Sequence, residues 1–87
     1  MGNKIYLKRQ ERLKEILGMI GLDGILITNL TNIRYICGFT GSAASCLVSS
    51  KVNYFITDGR YIEQSKDQVV GFEIFIDIEQ LFLTLSF

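Results

Sequence analysis

A nucleophile, a base or a metal ligand in this chain would have to come from a short set of side chains. Two thiols, Cys37 and Cys46, and two hydroxyls close to glycines, Ser42 and Ser45, are the candidate nucleophiles. None has a base to activate it, because the sequence contains no histidine, which also removes every Ser–His and Cys–His arrangement. The cysteine spacing fits no zinc pattern, so both thiols read as half-buried and reduced. A metal-dependent hydrolase needs three or four acids that converge. Glu11, Glu15, Asp23, Glu63, Asp67 and Glu73 instead scatter over helix surfaces and loops, and Asp58 and Asp77 sit where helices need caps. "CGFTGS" has a G-x-x-G, but neither the third glycine of a dinucleotide fingerprint nor the Lys-Ser/Thr of a phosphate loop. No catalytic residue and no metal ligand is therefore expected in this chain.

What remains is a segment of unusual composition. "NIRYICGFTGS", residues 32–42, carries an Arg, two aromatics, a Cys and two Gly where a connection usually carries Ser, Asp and Lys. A compact apolar turn and a binding surface are both open readings of it.

The bulk properties narrow the partners. The 87 residues make one domain at most, and 48% apolar content supports a real core. Nine basic residues balance nine acidic ones, so neither nucleic acid nor an anionic membrane is an expected partner. The charged N-terminus lacks the apolar run of a signal peptide, and no segment is long enough to cross a bilayer. Met1-Gly2 does not complete a myristoylation motif, because Tyr6 stands where Ser or Thr is required. The expectation is a cytoplasmic protein.

The positioning elements follow from periodicity. Leu13, Ile16, Leu17 and Ile20 form one apolar stripe opposite Lys8, Arg9, Glu11, Arg12, Lys14 and Glu15, which predicts a helix of about 16 residues ended by Gly21. "GILIT" (24–28) predicts a strand covered on both faces. "ASCLVSS" (44–50) and "NYFITD" (53–58) predict an antiparallel hairpin, and "FEIFI" (72–76) a fourth strand. Between the last two strands, Asp58 should cap a helix and Gly71 end it, with Tyr61, Ile62, Ser65 and Val69 facing inward. Asp77 and Gln80 have capping-box spacing ahead of an apolar helix running to Phe87. With a short helical segment after the first strand, the order is α, β, α, β, β, α, β, α. The fold class is α/β: a mixed β-sheet flanked by helices. The oily last helix and the open sheet edge suggest a domain incomplete at its C-terminus.

Residues 22–69, "LDGILITNLTNIRYICGFTGSAASCLVSSKVNYFITDGRYIEQSKDQV", resemble the N-terminal domain of the creatinase, prolidase and Xaa-Pro aminopeptidase family. Thr28, Asn29, Asn32, Ile33, Arg34, Tyr35, Gly38, Phe39, Gly41 and Ser42 match one family motif. Thr57, Asp58, Gly59, Arg60 and Tyr61 match a second, after a hairpin, and the likeness extends over about residues 10–76. It is nearest the aminopeptidase branch. Cys37 departs from the pattern, where the family usually has Thr.

The resemblance implies a mixed sheet with an RNase H-like motif and no cofactor in this chain. Two divalent, manganese-type metal ions are implied only in a separate catalytic domain of pita-bread type, which cleaves before proline. The implied partners are that metallopeptidase domain, in cis or in a neighbouring subunit, a proline-containing peptide substrate, and further copies in a homo-oligomer. The implied function is non-catalytic: shaping the substrate cleft and supporting oligomerisation. Two alternatives share the fold, a free-standing peptide- or protein-binding module without its catalytic half, and the N-terminal domain of a creatinase-like amidinohydrolase.

Within that frame, Arg34, Tyr35, Phe39 and Arg60 are the substrate-rim candidates. The Arg34 guanidinium matches a carboxylate, although an ion pair or cap contact would explain it equally. Tyr35 and Phe39 offer flat faces to a proline ring, or else pack in the core, Phe39 being the one expected to be more exposed. Arg60 lies in a first helical turn, where the macrodipole disfavours a cation, so either a carboxylate on another domain or a substrate pairs with it, or it is a simply solvated side chain. Asn32, Gly38, Gly41, Asp58 and Gly59 are read as turn and cap residues, the glycines through positive φ or close backbone approach.

Overall fold

The computed structural model describes residues 2–85. Helix α1 (Gly2–Met19) leads to strand β1 (Gly24–Ile27), helix α2 (Leu30–Cys37) and the hairpin β2 (Ala44–Ser49) and β3 (Asn53–Thr57). A 3₁₀ turn (Gly59–Tyr61) precedes helix α3 (Ile62–Gln68), strand β4 (Glu73–Ile76) and helix α4 (Asp77–Leu85). The sheet runs β1-β2-β3-β4, antiparallel at its first two pairings and parallel between β3 and β4. The predicted mixed sheet and hairpin are therefore present.

Alternation along the strands sets two faces. Ile25, Ile27, Cys46, Val48, Phe55 and Ile74 share one face by register. Against it lie Ile33, Ile36 and Cys37 of α2 together with Phe39, forming the buried core with Leu13 of α1 at its margin. Tyr54 and Phe75 share the other face, where α4 lies against β3 and β4 and Leu81 is buried. The Tyr54 and Phe75 rings meet edge to face at 5.1 Å.

Helix α1 ends as its glycine predicts. Gly21 has φ 78°, its N–H donates to Gly18 O, and Leu22 N–H donates to Leu17 O at 2.9 Å, which closes a Schellman motif. The buried stripe differs from the predicted one. Gln10 and Leu17 are buried and Leu13 packs on the core, whereas Ile16 is exposed and Ile20 is 62% exposed. The helix meets the sheet along Gln10–Leu13–Leu17, one position round from the stripe that hydrophobicity alone picks out.

Three further expectations are corrected. Strand β1 is an edge strand rather than a doubly covered one, and Leu26 on its open face is 61% exposed. The helix after Asp58 begins as a 3₁₀ turn and ends at Gln68, so Gly71 (φ 79°) serves the turn into β4 instead of the helix terminus. The predicted capping box is shifted as well: Gln80 Oε1 accepts from the N–H of Ile76, not of Asp77. Asp77 itself takes φ 69°, a left-handed conformation that Asp tolerates better than most residues. The end of the predicted last helix, residues 86–87, lies outside the described residues.

Candidate functional site

The first half of "NIRYICGFTGS" is helix. Asn29 caps α2, its side-chain oxygen accepting from Asn32 N–H at 3.1 Å, so Asn29 is the cap and Asn32 the residue capped. Gly38 stops the helix at φ 90°, with its N–H donating to Arg34 O at 2.9 Å. Ile33, Ile36 and Cys37 point inward at i, i+3 and i+4, which turns Arg34 and Tyr35 to solvent.

Tyr35 is 58% exposed, with the guanidinium carbon of Arg9 3.9 Å from its ring centroid. Arg9 Nη1 also donates to Tyr35 O at 2.9 Å, tying α2 to α1. Among the described residues, the Arg34 guanidinium makes no hydrogen bond or ion pair, so neither the expected ion pair nor a cap contact occupies it.

The second half, residues 38–42, is a loop latched to the region after β3. Thr40 N–H donates to Gln68 Oε1 at 2.9 Å, and Gln68 Nε2 donates back to Thr40 Oγ1 at 2.9 Å. Gln64 Nε2 reaches both Thr40 Oγ1 and Gln68 Oε1. Ser42 N–H donates to the Tyr61 hydroxyl, which also hydrogen-bonds Ser42 Oγ. These bonds, chiefly the one to Ser42, hold the Tyr61 hydroxyl below the usual tyrosine range. No base adjoins the pair, so it fastens a loop and does not activate a nucleophile.

Phe39 is 1% exposed, in contrast to the exposure expected of it. Its ring sits edge to face with Phe55 at 4.9 Å and Tyr61 at 5.3 Å. The chain folds back over it at Gly41, where an added Cβ would lie 2.2 Å from the ring. Gly41 is thus required by close approach and Gly38 by its φ. At Gly59 there is neither, and nothing in the structure explains that glycine.

Arg60 also differs from its expectation, because its carboxylate partner lies within the chain. Asp58 Oδ1 accepts from Arg60 N–H and Nε at 3.0 Å each, and Oδ2 accepts from Nη2 at 2.8 Å. The cap residue thereby neutralises the cation that the helix start disfavours. The same bonds hold the Asp58 carboxyl below its usual value. A depressed carboxyl contributes stability above its unfolded value of 3.8, and that contribution is lost as pH falls through the folded value. The urea midpoint of Asp58→Ala should therefore lie below wild type at pH 6, with the gap narrowing as pH falls below 3.8.

Sequence reasoning missed Gln10, Asn29, Gln64 and Gln68. Asn29 was legible as a helix-capping type immediately before an apolar run. The two α3 glutamines carry no such signal, because their role depends on a contact 24–28 residues away. Both cysteines are free and buried, and Cys37 Sγ–H donates to Ile33 O. The neighbouring Cys37 sulfur and burial push the Cys46 thiol well above its usual range, so it is no ready nucleophile. Among the described residues no three His, Cys, Asp or Glu side chains come together as a metal site, and none of the helices is long and apolar enough to cross a membrane.

The family model described as "Creatinase/Prolidase N-terminal domain" matches residues 9–84. The uncharacterized peptidase YqhT of Bacillus subtilis is 55% identical over 64 residues, which are 74% of this chain and 18% of that protein. A crystal structure of an Xaa-Pro aminopeptidase from Streptococcus pyogenes superposes with a TM-score of 0.83 at 32% identity, covering 95% of this chain and 64% of that one. An Xaa-Pro dipeptidase from Bacillus anthracis superposes with a TM-score of 0.78 at 44% identity, covering 84% of this chain and 21% of that one. The chain thus spans less than two thirds of the length of each of these relatives.

Proposed function

Since this chain belongs to the creatinase/prolidase N-terminal domain family, we propose that it acts as the non-catalytic N-terminal domain of an Xaa-Pro aminopeptidase- or dipeptidase-like metallopeptidase. Its work in this reading is to shape the rim of a substrate cleft and to support oligomerisation. The observation that carries the proposal is Arg34. It is an exposed guanidinium without an internal partner, on a short helix fixed at both ends by Asn29 and Gly38. An unpaired cation on a helix fixed at both ends suits a carboxylate that arrives from elsewhere, such as the free end of a short peptide.

Tyr35, beside it, offers an exposed ring face. Phe39 and Arg60 leave the proposed rim, the first because it is core and the second because Asp58 occupies it. The residues of this chain do not fit the pair of divalent metal ions implied for such peptidases, since no donor cluster exists among the described residues and the sequence has no histidine. In this reading the metal ions and the bond-breaking chemistry belong to a catalytic domain in the same or a neighbouring subunit, and a proline-containing peptide is the substrate.

The test is direct. The purified 87-residue chain should release no amino acid from an Xaa-Pro peptide, with or without Mn²⁺. Turnover that co-purifies with the chain and scales with its concentration would refute the non-catalytic assignment.

A further inference from the structure

The side of the molecule where β1 closes the sheet carries two features that the peptidase reading does not use. The first is the edge itself. No strand lies beyond β1 among the described residues. Protein edges are usually blunted by shortness, a lysine, a proline, an inward charge or a bulge, and of these β1 has only its length of four residues. Gly24–Ile27, "GILI", has no charge and no proline, and it pairs with β2 residue for residue without a bulge.

The second feature is a groove of about 490 Å³ beside that edge. Its floor is Ile25 and Ile27, and its walls are Leu13 and Ile16 of α1 and Tyr35 of α2. Along its rim stand Lys8, Arg9 and Arg12, and no carboxylate lines it. Arg12 is only loosely held by Glu15, at 3.4 Å on the exposed helix surface, so the rim stays positive.

These features fit one kind of occupant. A strand added to β1 would run about 4.8 Å from it and send alternate side chains to the face that carries Ile25 and Ile27. Those side chains would enter the groove, and residues flanking them would meet the basic rim. A second copy of this chain fits less well. Antiparallel pairing of two β1 edges about a two-fold axis would bring both sets of Lys8, Arg9 and Arg12 to the same side of one sheet, like charge facing like. We propose that β1 and this groove form a strand-addition site for an extended, acidic peptide segment with apolar residues at alternate positions. The inference does not rest on Arg34, although Tyr35 is both a wall of this groove and a rim residue in the cleft reading.

The test is an NMR titration of the uniformly labelled full chain with a capped peptide of alternating Glu and Val. Saturable shifts are expected at the amides of Gly24–Thr28 and along Lys8–Ile16. A peptide with Lys in place of Glu should bind at least about tenfold more weakly. The double variant Lys8→Glu/Arg12→Glu, which changes two exposed side chains, should keep its spectrum elsewhere and lose at least about tenfold in affinity. Absence of saturable shifts at β1, equal binding of the lysine peptide, shifts confined to α4, or concentration-dependent dimerisation through β1 without peptide would each overturn the proposal.

Discussion

Replacing Phe39 by alanine is expected to destabilise the fold by ~3–5 kcal/mol, the usual cost of truncating a fully buried phenylalanine. A domain of this size has only about 4–13 kcal/mol in total, so the variant should sit at or near the edge of folding. The magnitude follows from where the ring lies. It contacts Phe55 and Tyr61 edge to face, and the loop at Gly41 closes over it without room for a side chain. The Thr40 and Ser42 latches tie that loop to Gln68 and Tyr61, which limits its collapse into the space. Urea unfolding followed by circular dichroism measures the change. A surface contact awaiting a substrate would shift stability by less than about 0.5 kcal/mol, so a small effect would return Phe39 to the rim.

Gln10→Leu should cost about 2–4 kcal/mol despite a nearly unchanged volume, through the loss of hydrogen bonds. Gln10 is 3% exposed, yet it sits on the inward face of α1. Its Nε2 donates to Ile36 O at 3.0 Å and to Val70 O at 2.8 Å, and its Oε1 accepts from Asn53 Nδ2 at 3.3 Å. One amide thus ties α1 to the end of α2, to the turn before β4 and to β3. Leucine would leave the buried carbonyl of Ile36 and the partly buried one of Val70 without that donor, which is dearer than never having made the bonds. Gly71 belongs to the same junction, since a Cβ there would fall 2.2 Å from Gln10 Oε1. The expected result is a lowered urea midpoint with an unchanged m-value, because the native and unfolded surfaces stay the same. A variant as stable as wild type would mean that water satisfies those carbonyls and that Gln10 is a passenger.

These two residues also mark what the sequence could and could not disclose. The element order, the hairpin and the Gly21 helix stop were legible because each rests on local chemistry: period, turn residues and a left-handed cap. Strand coverage was not. "GILIT" has the composition of a central strand, and only pairing decides that β1 ends the sheet. Hydrophobicity ranks Ile16 and Ile20 above Gln10, whereas burial on α1 follows the line of contact with the sheet.

At the site, residue type leaves Tyr35 open between rim and core, and the helical spacing of the buried Ile33, Ile36 and Cys37 is what turns it and Arg34 to solvent. Phe39 is buried instead of exposed, because after Gly38 ends α2 at φ 90° its ring packs on Phe55 and Tyr61. The partner of Arg60 is neither solvent nor an external carboxylate but Asp58, two residues before it.

The account turns on whether this chain can serve as the cleft-shaping domain of a metallopeptidase through Arg34. The most direct measurement is a chimera in which the chain replaces the matching segment of the Bacillus anthracis Xaa-Pro dipeptidase. The chimera should hydrolyse an Xaa-Pro dipeptide. Arg34→Ala within it should raise KM by about 10- to 100-fold with kcat little changed, as loss of a charged hydrogen bond to the substrate carboxylate requires. An inactive parent chimera, or an Arg34→Ala chimera with unaltered KM, would contradict the account.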